Sequence, residues 1–555
     1  MTVADGIVAA LAERAVDTVF GIPGVHNLAL FAALEAGGVR TIVVRHEATA
    51  AYAADVHGRL TGRPGVCVTT SGPGAANAVA AMGEAQASCS PLLHVTTTVA
   101  RRHLDAGVSR GVLHEHPRQR DIFAPVSKLA VRADDPATVA AIVGHAFDTA
   151  ALAPCGPAYV EIPTDVLAEA APGPTGLPGA TPPERTPAPT RPVLRELAQR
   201  LERAERPLIW VGSGGAPHAP EVLELAERLG APVVLTHSAK RAWSGGGPPL
   251  VVRHPPHEPA IGDLCAAADA VLVLGSDLDG MMTQEFRLPL AGVLRVDVDP
   301  RRMDLSYPSE LAVPGEVEGV VRGLLALVGP RAGGGWGAGA VARADAAAAS
   351  ALDGDGDAAA GLTYVSALDR AIGDAQVVVA CDMAISGYWT AAYLPLGASR
   401  RIVYPVGWGT LGFALPGAIG AARAGAGRAI VVCGDGGVLF AIGELATIAQ
   451  EELPVTIVVQ TDGGYGMLRY DEERMYDRTF AVDLRAPDFP ALAGAFGLPA
   501  ERVDCLDPGL PDVLARAVQG RGPNLVDVIG RLTPPRTTSP RWPLVAHPSG
   551  PPGRP

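Results

Sequence analysis

The sequence predicts an α/β protein of three doubly wound domains, each a parallel sheet covered by helices on both faces. Three observations predict it. The 555 residues suffice for about three domains of roughly 150 residues each. Apolar runs without polar alternation, such as "TIVVRHE", "AVLVLGS" and "AIVVCGDGG", read as strands buried on both faces, joined by alanine-rich amphipathic helices. Two segments of poorly packing composition, proline-rich 170–192 and Gly/Ala/Asp-rich 330–361, read as linkers. They divide the chain into blocks at 1–168, 191–330 and 361–535, followed by an irregular tail at 536–555.

In the first block the strands fall at 18–24, 41–47, 65–74 and 92–97, with helical patterns at 48–60 and 75–88 between them. The second block offers "PLIWVGSGG", "PVVLTH", "AVLVLGS" and "VLRVDVDP". The third offers "VVVACDM", "IVYPVG", "AIVVCGDGG" and "PVTIVVQTDGG". In such sheets ligands bind outside the carboxyl ends of the strands, where the glycine-rich turns lie.

Composition narrows the function. A net charge of −13 argues against nucleic acid as the main partner. No window approaches the roughly 18 apolar residues of a membrane helix. The N-terminal segment carries Asp5 and Glu13 and no basic-then-apolar run, so no signal peptide is expected. Seven scattered cysteines without a C-x-x-C pair suit free thiols in a reducing compartment, and a cytoplasmic location is expected.

The stretch "IVVCGDGGVLFAIGELATI", 430–448, runs a buried strand into Gly-Asp-Gly-Gly and then a helical pattern from Val438 to Ile448. Backbone N–H groups at such a junction suit an anion, yet Asp435 would repel a phosphate. A metal between the two resolves the conflict. The next strand ends at Gln460 and sets Asp462 in a turn 27 residues after Asp435, about one strand–helix–strand unit. Two carboxylates and a turn carbonyl, such as that of Gly464, can serve Mg²⁺, with phosphate oxygens and water completing an octahedron. Each turn taken alone also reads as an ordinary tight turn or helix cap. The pair at this spacing favours the metal.

Gly434-Asp435-Gly436 followed by Asp462-Gly463-Gly464-Tyr465-Gly466 resembles the thiamine diphosphate signature, with Thr461-Asp462 replacing the usual paired asparagines. "FGIPGVHN", "RHEATAAYAADVHGRLTGRPGVCVTTSGPGAANAV", "PAYVEIPTDV" and "GWGTLGFALPGAIGAA" extend the resemblance to the acetolactate synthase and 2-oxo acid decarboxylase branch. That branch orders its domains as pyrimidine-binding, central and diphosphate-binding. The resemblance implies that Glu47 of "RHE" hydrogen-bonds N1′ of the cofactor's aminopyrimidine and drives general acid–base catalysis through it. It implies that Leu411 wedges between the cofactor rings and that the Gly409 carbonyl accepts from the 4′-amino group. Asp382 and Ser386 fall where relatives build part of the diphosphate site. Gly434, Gly436 and Gly437, and then Tyr465, Gly466 and Met467, flank the metal turns. Asp435, Asp462 and Gly464 would hold Mg²⁺.

His26 and His114 are candidates for the substrate side, and Glu115 lies in the same loop as His114. Val25 stands where pyruvate-type decarboxylases carry an Asp, which weakens that reading, and the variants "GIPGVHN", "LHE" and "MLRYD" resemble acetolactate synthase-like proteins that include decarboxylases of longer, basic 2-oxo acids. Arg469 reads either as a clamp for a substrate carboxylate or as a surface ion-pair residue. The central "VGSGG", 211–215, is a dinucleotide-like glycine cluster, and acetolactate synthases bind FAD in this domain. The turn "GSDLDGMMT" lacks the Arg that their FAD site carries there, which argues against FAD. The resemblance further implies a homodimer or homotetramer whose site joins Glu47 of one chain to the diphosphate domain of another. The expected activity is decarboxylation of a 2-oxo acid, followed by aldehyde release or carboligation. The rival readings are an FAD-containing acetolactate synthase proper and a non-catalytic cofactor-binding homologue.

Overall fold

The computed structural model describes residues 1–104, 108–171, 186–243, 249–331, 335–397, 399–425 and 427–535. Three all-parallel sheets flanked by helices bear out the predicted class. The first comprises Thr18–Gly21 (β1), Arg40–Val43 (β2), Gly65–Thr69 (β3), Leu92–Thr98 (β4), Leu129–Arg132 (β5) and Pro157–Pro163 (β6), ordered β2-β1-β3-β4-β6-β5. The second comprises Pro207–Val211 (β7), Val233–Leu235 (β8), Ala270–Leu274 (β9), Val293–Asp297 (β10) and Leu311–Pro314 (β11), ordered β11-β10-β9-β7-β8. The third comprises Val377–Cys381 (β12), Arg400–Val403 (β13), Arg428–Gly434 (β14), Val455–Thr461 (β15), Ala500–Asp504 (β16) and Asn524–Ile529 (β17), ordered β13-β12-β14-β15-β17-β16. Strands β3, β4 and β6 are buried at every position, as strands covered on both faces must be.

The first and third domains share one core, which runs from Phe20 and Ile42 through Val56 to Phe413, Ile419 and Val431. Its centre is the crossing of helix Glu47–Thr61 with helix Ala414–Arg423. A side chain at Gly420 would sit 2.0 Å from the Ala53 carbonyl oxygen, so glycine lets the two backbones touch. Beside this crossing lies a buried charge cluster. Arg59 pairs with Asp55 at 2.6 Å and with Glu84 at 3.3 Å, and its Nη1 donates to the Tyr404 carbonyl at 3.1 Å. Glu84 in turn accepts the N–H groups of Gly407 and Trp408 at 3.1 and 2.8 Å. The cluster thus anchors the loop that leads to Gly409 and Leu411. Glu84→Ala leaves a buried guanidinium and two N–H donors underpaired, and a loss of about 3–5 kcal/mol is expected, read as a lower urea midpoint.

Several expectations are corrected. The stretch 330–361 is not a loose linker: Gly337–Asp353 is a helix whose Ala340, Val341, Ala344 and Ala348 are buried in the core of the central sheet. Alanine spacing supplied a narrow apolar face that composition concealed. The helix expected over 438–448 is broken. A short turn, Asp435–Val438, ends before Leu439, and a second helix, Leu445–Gln450, follows a 3₁₀ turn at Ile442–Glu444. Glu444 explains the break: it is buried, accepts the Arg45 N–H at 2.9 Å and the Thr447 hydroxyl at 2.6 Å, and ties the segment to the first domain. Strands β5, β6, β11, β16 and β17 are not anticipated by the sequence reading. The tail at 536–555 and most of the proline-rich linker, 172–185, lie outside the described residues. Among the described residues no helix is long and apolar enough to cross a membrane.

Candidate active site

The geometry of the two acidic turns begins with strand pairing. β14 and β15 are adjacent and parallel, with Gly434 opposite Gln460, so the turns after them meet at one sheet edge. Asp435 Oδ1 accepts its neighbour's N–H, from Gly436, at 2.8 Å, and Oδ2 accepts the Gly463 N–H, also at 2.8 Å. Asp462 immediately precedes that glycine. Its Oδ1 is buried with no hydrogen-bond partner, and the Arg469 Nη1 lies 3.7 Å away. Burial raises the Asp435 pKa, and burial together with the Asp435 charge pushes Asp462 up to about 6. Two carboxylates thus share a partly desolvated corner. A side chain at Gly466 would meet Asp462 Oδ2 at 2.2 Å, one at Gly464 the Val482 carbonyl oxygen at 2.2 Å, and one at Gly436 the Tyr465 ring at 2.9 Å. These glycines let the turns close on each other.

Next to this corner lies helix Ile385–Tyr393. A side chain at Gly434 would be 3.2 Å from Ala384 Cβ, which places the start of that helix against the Gly-Asp-Gly turn. Ser386, in its first turn, is fully buried and its hydroxyl has no partner. The Asp382 carboxylate accepts the N–H groups of Gly412 and Phe413 at 3.0 and 3.4 Å, and burial raises its pKa to about 6. It therefore shapes the turn carrying Leu411, where Gly409 and Gly412 adopt φ of +68° and +73°. Gly437 closes the group, since a side chain there would lie 3.1 Å from Asp382 Oδ2 and 3.9 Å from Leu411 Cδ2. Met467 packs into the core of the third domain.

The first domain presents a second cluster around the turn after β3. Glu47, the first residue of its helix, is half-buried, and its Oε2 accepts from Asn77 Nδ2 at 2.9 Å. A side chain at Gly74 would come within 3.3 Å of Glu47 Oε1. His26 Nδ1 is hydrogen-bonded to the Ser71 hydroxyl, and its ring meets that of His114 edge-on at 5.2 Å. Burial, with His114 nearby, lowers the His26 pKa. The His114 Nδ1 is buried without a partner. The structure thus brings both histidines together on the turn that also approaches Glu47. Glu115 serves its own loop instead, accepting from Ser109, Arg110 and Val112. Ser71 and Asn77 were missed by sequence reasoning, although both lie inside the quoted "SGPGAANAV". Gln119 was missed as well; it is buried, accepts the Gly72 N–H at 2.7 Å, and fixes the same turn.

Arg469 is not a surface residue: it is 5% exposed and donates to the carbonyls of Asp462 and Gly463 and to Asp483, so it braces the Asp462 turn. Between the first and central domains a cavity of about 810 Å³ opens, lined by Gly58, Cys89 and Pro154 on one side and by Gly212, Gly214 and Asp277 on the other. The N–H groups of Gly212 and Gly214 already donate to Leu274 and Gly275, and a side chain at Gly212 would lie 2.1 Å from the Gly275 carbonyl oxygen. Those glycines serve the contact between two loops.

Models of the thiamine pyrophosphate enzyme N-terminal TPP-binding, central and C-terminal TPP-binding domains match residues 1–122, 194–324 and 382–528. Two cofactor-binding domains around a central one define the class, and the chain belongs to the thiamine pyrophosphate enzyme family. Among particular proteins, it is 32% identical over 522 residues to a "probable 2-ketoarginine decarboxylase" of Pseudomonas aeruginosa, covering 91% of this chain and 90% of the relative. It is 31% identical to the acetolactate synthase large subunit of Parasynechococcus marenigrum, covering 94% and 86% of the two chains. It is 30% identical to an acetolactate synthase of Bacillus subtilis, covering 95% and 92%.

Proposed function

We propose that this protein is a thiamine diphosphate- and Mg²⁺-dependent enzyme that decarboxylates a 2-oxo acid and releases the aldehyde or joins it to a second carbonyl compound. The observation that carries the reading is the 2.8 Å contact from the Asp435 carboxylate to the Asp462 turn, with Asp462 Oδ1 left unsatisfied beside it. A divalent cation fits that corner: it would relieve the paired carboxylates and take up the orphaned oxygen. Asp435, Asp462 and the Gly464 carbonyl would hold it. The first turn of helix Ile385–Tyr393, with the unpartnered Ser386 hydroxyl, and the N–H groups after Asp435 would receive the diphosphate.

When bound, thiamine diphosphate supplies the electron sink that decarboxylation of a 2-oxo acid requires. Glu47 holds and returns a proton at the pyrimidine N1′, kept in place by Asn77. The Gly409 carbonyl would accept from the cofactor's amino group and Leu411 would pack against its rings, both on the turn that Asp382 braces. His26 and His114 face the substrate and exchange protons there. The glycines of 211–215 have their N–H groups committed within the domain, which speaks against an FAD pyrophosphate at that loop. Domain boundaries near 1–168, 191–330 and 361–535 and a cytoplasmic location accompany this reading.

A homodimer is the minimum active unit in this reading. Val25, Trp408 and Phe440 stand 77%, 55% and 63% exposed on the loops flanking the two clusters, an apolar surface suited to a second copy. Sedimentation is expected to give a dimer or larger; a fully active monomer would refute this point. Activity is tested with a panel of 2-oxo acids, starting with the basic 2-ketoarginine, by CO₂ release and product mass with and without aldehyde acceptors. No turnover of any member, in protein that binds the cofactor, would favour a non-catalytic homologue. Yellow protein that releases flavin on denaturation would favour the FAD-containing alternative.

A further inference from the structure

We infer that Arg469 is a charge-compensating positioning residue that makes Asp462 usable as a metal ligand. The inference rests on the metal-site reading above. The turn carries one acid more than the neutral-amide version of the same signature, because Asp462 stands where an asparagine is usual. A second carboxylate beside the buried Asp435 adds repulsion in the metal-free protein and an extra negative charge beside a bound diphosphate.

Arg469 answers both. It is 5% exposed, in the first turn of helix Gly466–Tyr476. Its Nη1 lies 3.4 Å from the Asp462 carbonyl oxygen and 3.7 Å from Asp462 Oδ1, and its Nη2 donates to the Gly463 carbonyl at 3.0 Å. Its Nε and Nη2 also meet Asp483 Oδ1 at 3.1 and 2.9 Å, but that aspartate is 72% exposed and well screened. The planar fork therefore grips two successive backbone carbonyls, those of Asp462 and Gly463, while leaving Oδ1 too far for a hydrogen bond, and so free for a cation. Asp435, Asp462 and Arg469 together carry a net charge of −1, the same as an Asp–Asn pair alone. A side chain at Gly464 would sit 2.4 Å from Arg469 Nη2, so the turn is shaped to admit the guanidinium.

The test is a double-mutant cycle read on Mg²⁺ affinity and on the melting temperature of the metal-free protein, neither of which needs turnover. Asp462→Asn, although it restores the common residue, is expected to weaken Mg²⁺ binding in the presence of thiamine diphosphate about tenfold or more, because Arg469 is then uncompensated. Arg469→Gln is expected to lower the melting temperature of the metal-free protein. The double variant is expected to recover most of both losses. Additive losses in the double variant would overturn the inference. Should Arg469→Gln fail to fold, Arg469→Lys replaces it: the charge remains, so Asp462→Asn must still weaken Mg²⁺ binding in that background, and an unchanged affinity there would equally overturn the inference. If the wild type shows no stabilisation by thiamine diphosphate with Mg²⁺, the metal-site reading itself fails, and the melting arm still reports on the pair.

Discussion

Glu47→Gln is expected to retain cofactor binding and to lose nearly all turnover. Glu47 sits at the start of a helix with its Oε2 bonded to Asn77, and a Gln of the same shape can keep one such contact. In the proposed mechanism it cannot hold and return a proton at N1′. General acid–base contributions of this kind are worth about 100- to 10,000-fold, so the rate should fall by that order. The rise in melting temperature caused by thiamine diphosphate with Mg²⁺ should persist. Proton exchange at the cofactor C2, followed by NMR, should slow in parallel with turnover; exchange at the wild-type rate would assign the base elsewhere. Asn77→Ala should act in the same direction and more weakly, since it removes the group that aims Glu47 and leaves the base in place.

Asp435→Asn is expected to act at the opposite end, on binding. Asp435 joins the two metal turns through the Gly436 and Gly463 N–H groups. An amide keeps one acceptor, loses the charge, and turns a donor toward one of those N–H groups. Replacing a charged ligand oxygen by a neutral amide should lower Mg²⁺ affinity about 100-fold, or about 2.8 kcal/mol at ~1.4 kcal/mol per tenfold. The stabilisation by cofactor and metal should vanish at concentrations that saturate the wild type, while the melting temperature of the metal-free protein should move little, because relief of the repulsion with Asp462 offsets the weakened hydrogen bonds. An unchanged cofactor-dependent shift would remove Asp435 from the metal site. The two variants thus separate the proton-transfer end of the site from its binding end.

Much of the fold is legible in the order of the amino acids. Strands covered on both faces announce themselves as unbroken apolar runs, and turns announce themselves by glycine beside a polar residue. Those signals are local, so β1–β4, β7–β10 and β12–β15 fell where the sequence placed them. The Asp435–Asp462 pairing was equally legible, because a strand–helix–strand unit in a parallel sheet brings successive turns to one edge. What escaped had its cause outside the local pattern. β17 is buried at its centre, yet Asp527 interrupts its apolar run; the strand tolerates that acid because Thr461 and Arg502 bond it at 2.6 and 2.8 Å from neighbouring segments. β16 is exposed at several positions and carries little apolar signal. The break at Leu439–Ala441 arises because Glu444 reaches the first domain.

The sequence by itself therefore determined the three-sheet architecture and the two acidic turns, since these follow from hydrophobic period, turn chemistry and spacing along the chain, while the order of the domains came from the family resemblance. Only the tertiary structure decided which charges meet: Arg59 with Glu84 beneath the Leu411 loop, Asp382 on that loop's N–H groups, and Arg469 against the Asp462 turn. Whether a charged side chain ends in solvent or in a buried pair depends on what desolvates it, and desolvation is a property of the packed molecule.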